Sequence, residues 1–139
     1  MTDSTAITVS VTVAAPVGKT WHDFTAPEAI QVWNAASEDW HTTAATNDLQ
    51  VGGVFTSRME AKDGSAGFDF TGTYTEVVPY VVLAYEMADR RTVRVVFREG
   101  EDGTLVTETF DPETENPIEM QRVGWQAILD NFKIYCEQE

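Results

Sequence analysis

Residues 7–13 read I-T-V-S-V-T-V, an alternation that places Ile7, Val9, Val11 and Val13 on one face and Thr8, Ser10 and Thr12 on the other. Successive side chains of a strand point to opposite faces, so the pattern predicts a strand with one buried and one wet side. Pro16 then opens a helix, where its missing N–H does no harm. Val17, Trp21 and Phe24 follow near helical spacing. Thr25-Ala26-Pro27 breaks that helix. A second short helix, from Pro27 to about Val32, turns Ile30 and Trp33 inward.

From Trp40 the pattern becomes a series of strands separated by turn residues. Strands are predicted at 41–46, 54–61, 68–78, 81–87, 92–99 and 104–110. The breaks are Gly52-Gly53, Asp63-Gly64, Pro79, Glu101-Asp102-Gly103 and Asp111-Pro112. After Pro117 the period changes again. Ile118, Arg122, Trp125, Leu129, Phe132 and Cys136 recur at steps of three and four, which predicts a long amphipathic helix over 118–138. Gly124 interrupts it at a cost of about 1 kcal/mol against alanine. A glycine there suggests a close backbone approach or a slight bend.

Strands joined in sequence by short turns form an antiparallel meander, and the last helix is the only element large enough to cover its apolar face. The fold class is therefore α+β. The hairpin registers are mutually consistent. Pairing Met59 with Phe68 pairs Ser57 with Phe70 and Phe55 with Gly72. Pairing Tyr74 with Tyr85 pairs Gly72 with Met87. Pairing Phe97 with Val106 pairs Val95 with Glu108 and Val93 with Phe110. The large apolar residues then share one face, and Glu108 is a lone charge among them. A curved sheet that grips one helix leaves interior space, which side chains or a ligand must fill.

Composition narrows the functional classes. The 139 residues carry a formal net charge of -14, with 42% hydrophobic and 23% charged residues. Wrapping nucleic acid or docking on anionic lipid needs a basic surface, so neither is expected. No apolar run is long enough for membrane insertion. The N-terminal sequence does not read as a secretory signal. The single cysteine, Cys136, forbids an internal disulfide and fits a reducing, cytoplasmic setting. Residues 1–139 read as one domain, with 1–5 loose. Four of the six arginines, Arg90, Arg91, Arg94 and Arg98, precede a stretch from 99 to 119 with eight acids and no base. That switch is either a partner patch or, more simply, cross-strand ion pairing beside a solvated hairpin.

Several segments together resemble a known family. Ala15-Pro16 through Trp21, then Phe24-Thr25-Ala26-Pro27-Glu28 and Trp33, resemble the opening of the activator of 90-kDa heat-shock protein ATPase homologue family. Gly52-Gly53-Val54-Phe55, Gly72-Thr73-Tyr74-Thr75-Glu76-Val77 and Pro79 are similar to its middle. Gly103-Thr104-Leu105-Val106-Thr107-Glu108 is similar to the next strand, and Gln121-Arg122-Val123-Gly124-Trp125 with Leu129 to its C-terminal helix. The family belongs to the SRPBCC (START-like) superfamily. The resemblance implies the helix-grip fold of the birch-pollen allergen: a seven-stranded curved antiparallel sheet around a long C-terminal helix, enclosing an apolar cavity. It also implies a chaperone as a possible protein partner, although the larger eukaryotic members carry an additional N-terminal domain.

Candidate chemistry is sparse. His22, His41 and Cys136 lack metal-ligand spacing, so no metal is expected, and nothing points to a cofactor. No nucleophile motif is present. Glu108, on the inner face, is the one weak catalytic candidate, because burial would raise its pKa. Its alternative is an ion pair with an arginine such as Arg122. The aromatic set is the strongest hint. Trp33, Trp40, Phe55, Phe68, Phe70 and Tyr74 are candidate ligand contacts, as are Tyr85, Phe97, Phe110 and Trp125. Met59 and Leu129 add apolar surface, and Gln121, Tyr74 or Glu108 would orient a polar end. Trp40-His41 and the 61–67 hairpin are the expected rim. The leading expectation is a non-catalytic binder of a small hydrophobic molecule, lipid-, sterol- or polyketide-like. The alternatives are a chaperone-partner or stress-response module, and a cyclase- or hydrolase-like enzyme using Glu108.

Overall fold

The computed structural model describes residues 6–35 and 37–138. The expectation of a loose segment at 1–5 lies outside these residues. The opening alternation forms strand β1 (Ile7–Val13), followed by helices α1 (Val17–Thr25) and α2 (Pro27–Trp33). Strands β2 (Trp40–Asn47), β3 (Val54–Ala61), β4 (Gly67–Val78), β5 (Val82–Met87), β6 (Thr92–Gly100) and β7 (Gly103–Phe110) come next, and helix α3 (Ile118–Glu137) ends the chain. The seven strands form one antiparallel sheet in the order β1-β7-β6-β5-β4-β3-β2. Six strands make a meander, and β1 adds beside the last of them. This is the helix-grip architecture that the sequence led us to expect.

Every predicted register is present: Met59 with Phe68, Phe55 with Gly72, Tyr74 with Tyr85, Gly72 with Met87, Phe97 with Val106, and Val95 with Glu108. Alternation alone did not reveal two β-bulges, between Thr42 and Ala44 in β2 and between Tyr74 and Glu76 in β4. Each adds an unpaired residue and bends its strand, which helps to curl the sheet.

Helix α3 packs along β1 at one sheet edge and against α2, while α2 packs on β2 at the other edge. The two helices thus close the concave side from edge to edge. Side chains of α3 also serve the open edge of β1. Arg122 Nη1, Gln126 Nε2 and Lys133 Nζ donate to the carbonyls of Thr8, Ser10 and Thr12 at 3.3, 3.0 and 2.8 Å. Those acceptors recur every second residue, and the donors lie along one side of the helix. An edge strand would otherwise present these carbonyls for pairing with another chain. Arg122 also pairs with Glu119, so it is not the partner of Glu108.

Within the core, α1, α2, α3 and β6 meet in a knot of rings. Phe24 lies 5.2 Å from Trp33, 5.5 Å from Phe97 and 5.1 Å from Phe132, and Trp21 lies 5.1 Å from Phe97. Most of these contacts are edge-to-face, an arrangement aromatic quadrupoles favour. Cys136 is buried nearby as a free thiol, and burial pushes its pKa up to about 11. It is a packing residue.

Two glycines test this packing in opposite directions. A Cβ added at Gly124 would meet nothing within 4 Å. The expected close approach is absent, and the residue only weakens its helix. Gly124→Ala should raise stability by about 0.5–1 kcal/mol in chemical denaturation; a lower midpoint would contradict this. At Gly72, a Cβ would lie 2.6 Å from the ring of Phe55 and 2.8 Å from that of Tyr85. Gly72→Ala should destabilise by about 1–3 kcal/mol through overpacking, and unchanged stability would show that those rings move freely.

Candidate functional site

Beyond the ring knot the concave side is not filled. A cavity of about 260 Å³ lies between the sheet and α3. Strand parity supplies most of its wall: Phe55, Ser57 and Met59 from β3, Phe68, Phe70 and Tyr74 from β4, Tyr85 from β5 and Glu108 from β7. Trp33 comes from α2, and Trp125 and Ile128 come from α3. Helical periodicity aims these inward from the opposite side.

The rings are held against one another. Phe55 lies 4.6 Å from Tyr85 and 5.4 Å from Tyr74. Trp125 stacks on Phe110 at 3.8 Å with 12° between planes, and its edge faces Phe70 at 6.4 Å. The Phe70–Trp125 pair therefore spans from sheet to helix. At the outer side Phe68 is 50% exposed and its ring lies 5.9 Å from Trp40. The open face of Phe68 forms a rim.

Polar groups are few and unequal. The Tyr74 hydroxyl donates to Asn47 Oδ1 at 2.7 Å, and Asn47 Nδ2 donates to the Thr25 carbonyl at 2.7 Å. This chain ties β4, β2 and α1 together. Glu108 is different. It is 8% exposed and sits between Val9 and Val95 on the neighbouring strands. Burial alone lifts its carboxyl to about 8, and no donor among the described residues counters that. Burial raises the Tyr85 hydroxyl well above its ordinary range, and the charge of Glu108 adds to the shift. Glu108 and Tyr85 thus add two ionisable groups to a wall whose other polar members are Asn34, Thr46, Ser57 and Tyr74. Among the described residues, no three His, Cys, Asp or Glu side chains converge as a metal site would require.

Of the sequence-derived contacts, the structure brings nine to the cavity: Trp33, Phe55, Met59, Phe68, Phe70, Tyr74, Tyr85, Glu108 and Trp125. Five stand outside its lining. Phe97 is locked in the ring knot, Phe110 lies beneath Trp125, and Leu129 is fully buried. Gln121 clamps the loop before α3: its Oε1 accepts from the Glu113 N–H, and its Nε2 donates to the carbonyls of Glu113 and Asn116. Its amide is satisfied there, so it does not orient a polar ligand end. Trp40, with His41 and Lys62, borders a separate surface cleft between α2 and the end of α3.

Sequence reasoning missed Ser57, Asn34, Thr46, Leu83, Phe24, Ile30 and Ile128 as lining residues. Ser57 shares the inward parity of Phe55 and Met59, and that signal was available. The β2 bulge hid the role of Asn47. Thr42 pairs with Met59, but the later pairs with Ser57 and Phe55 are Ala45 and Asn47, so counting by two from Thr42 fails.

Part of the charged stretch is paired locally on the outside. Arg94 bonds Glu76 at 2.5 Å, Arg91 bonds Asp89 at 2.7 Å, and Asp111 accepts from the Thr92 N–H and hydroxyl. No helix among the described residues is long and apolar enough to cross a membrane.

The chain matches the family model described as Activator of Hsp90 ATPase homolog 1-like protein over residues 14–137. An AHSA1-like protein from Aeromonas hydrophila, solved in solution, is 48% identical, with a TM-score of 0.90; the match covers 96% of this chain and 92% of that one. A Cytophaga hutchinsonii protein is 49% identical over 95% of this chain and 92% of its own, with a TM-score of 0.83. A Chromobacterium violaceum protein shares the fold at 20% identity, with a TM-score of 0.87 over 98% of this chain and 100% of its own. No curated protein matches the chain. The motifs at both ends and in the middle are thus parts of one continuous likeness, and the chain belongs to the family of Activator of Hsp90 ATPase homolog 1-like proteins.

Proposed function

We propose that this protein binds a small hydrophobic molecule in the cavity beneath α3. One observation carries the reading: an aromatic-walled hollow holds a single buried carboxyl that has no donor among the described residues. Ligand sites are mostly apolar, with a few polar groups that fix orientation. A core built only for stability would fill such a space, because voids forfeit dispersion contacts. The volume of about 260 Å³ sits at the lower edge of the roughly 300–1,000 Å³ common for ligand pockets. The guest is therefore compact: a ring with a short chain, rather than a full sterol or a long lipid. Ring faces supply most of the affinity, and the Glu108 carboxyl sets the orientation.

A screen of compact apolar compounds followed by tryptophan fluorescence and NMR should give hits that shift Trp125, Phe70 and Tyr85 together. Ser57→Phe projects a ring into the cavity and should weaken such binding at least about tenfold. A screen in which no compound moves Trp125 would contradict the reading, as would full affinity in Ser57→Phe.

Glu108 gives the protein a defined pH response. Its carboxyl is raised from 4.5 to about 8 in the folded state. Below 4.5 it is protonated whether folded or unfolded, and its contribution is fully present. Between 4.5 and 8 the unfolded chain ionises first, so stability is lost as pH rises. Each pKa unit is worth about 1.4 kcal/mol. Between pH 5 and pH 8 the stability of Glu108→Gln should improve relative to wild type by roughly 2–5 kcal/mol. Denaturation curves that shift in parallel across that range would place the Glu108 carboxyl in water.

A further inference from the structure

We propose that the guest is a compact hydrophobic amine whose ammonium group lies against the Glu108 carboxylate, inside the wall formed by Phe55, Phe70, Tyr85 and Trp125. This inference rests on the cavity reading above and names the chemical class of its ligand.

The charge of the wall is one-sided. Among the described residues, Glu108 is the only acid lining the cavity, and no lysine, arginine or histidine lines it. Where Glu108 is ionised, a carboxylate guest would be buried against a like charge with no cation to pair with. A neutral guest could accept a hydrogen bond from the protonated carboxyl, but it gives the carboxylate form no charge partner. A cationic guest supplies the missing partner. The remaining wall suits a cation as well, because ring faces carry negative quadrupole potential and attract ammonium groups once water is excluded. The formal net charge of -14 favours approach of a cation over that of an anion.

The placement of Glu108 is unfavourable for stability alone. It shares the inner face of β7 with Thr104, Val106 and Phe110, all almost fully buried. Thr104 is satisfied by the Ala15 carbonyl at 2.9 Å, whereas the Glu108 carboxyl has no such partner. The flanking residues on β1 and β6 are Val9 and Val95, and α3 presents Trp125 and Ile128 to the same space. The other titratable groups facing the cavity are Tyr85 on β5 and Tyr74 on β4. Burial raises both, so they stay neutral where Glu108 titrates. An ammonium guest must displace the proton that Glu108 holds in the free protein. Binding therefore releases a proton to solvent and strengthens as pH rises towards 8.

The test compares three molecules of one shape: 4-phenylbutylamine, 4-phenylbutanol and 4-phenylbutanoate, titrated into the intact protein by calorimetry and NMR. At pH 8 the amine should bind at least about tenfold more tightly than the alcohol, and the acid least. Glu108→Gln should abolish that preference, so that amine and alcohol bind within about threefold of each other. In wild type, amine affinity should rise about tenfold from pH 6 to pH 7 with uptake of released protons by buffer, and this readout needs no variant. Alcohol binding as tight as amine binding would overturn the amine assignment and leave the cavity reading standing. So would a preference that survives in Glu108→Gln, or a flat pH dependence. If none of the three compounds shifts Trp125, the amine assignment and the cavity reading fall together.

Discussion

A curled sheet of seven strands has more concave surface than one helix can cover. That mismatch governs this molecule. Helix α3 is fixed at the β1 edge by Arg122, Gln126 and Lys133, which donate to alternate carbonyls of the strand. Helix α2 closes the other edge, leaving the space between.

The core divides in two as a result. At one end the rings of Trp21, Phe24, Trp33, Phe97 and Phe132 interlock around the helices, with Phe24 and Trp33 also bordering the cavity. At the other end Phe55, Tyr85, Phe70 and Trp125 line a void instead of closing it. The first cluster gives the fold its stability through dense packing. It also makes the second affordable, because a small domain tolerates little unfilled space elsewhere. The Glu108 carboxyl stands among this second group.

How much of this the sequence revealed depended on periodicity. Strict alternation fixed the registers: once Met59 opposed Phe68 and Phe97 opposed Val106, the whole inner face followed, including Glu108 as its one charge. Alternation is blind to bulges. The extra residue in β2 shifted parity and concealed Asn47, the partner of Tyr74. Nor does an inward position reveal whether a side chain meets a void or another ring. Phe97 and Phe55 share the same face of the sheet, yet only Phe55 borders the cavity. Gln121 misled for a related reason: an inward amide near a helix start can serve a ligand or a loop, and only the positions of Glu113 and Asn116 decide. Of the two readings of Gly124, a close approach or a slight bend, the first fails because an added Cβ would face open space.

The most direct check of a hollow interior is to see a guest inside it. Intermolecular nuclear Overhauser effects from a bound aromatic compound should connect it to the rings of Phe55, Tyr85 and Trp125 at once, since those three line one space from both the sheet and the helix. Contacts confined to Trp40, His41 and the surface cleft beside Tyr135 would contradict the account.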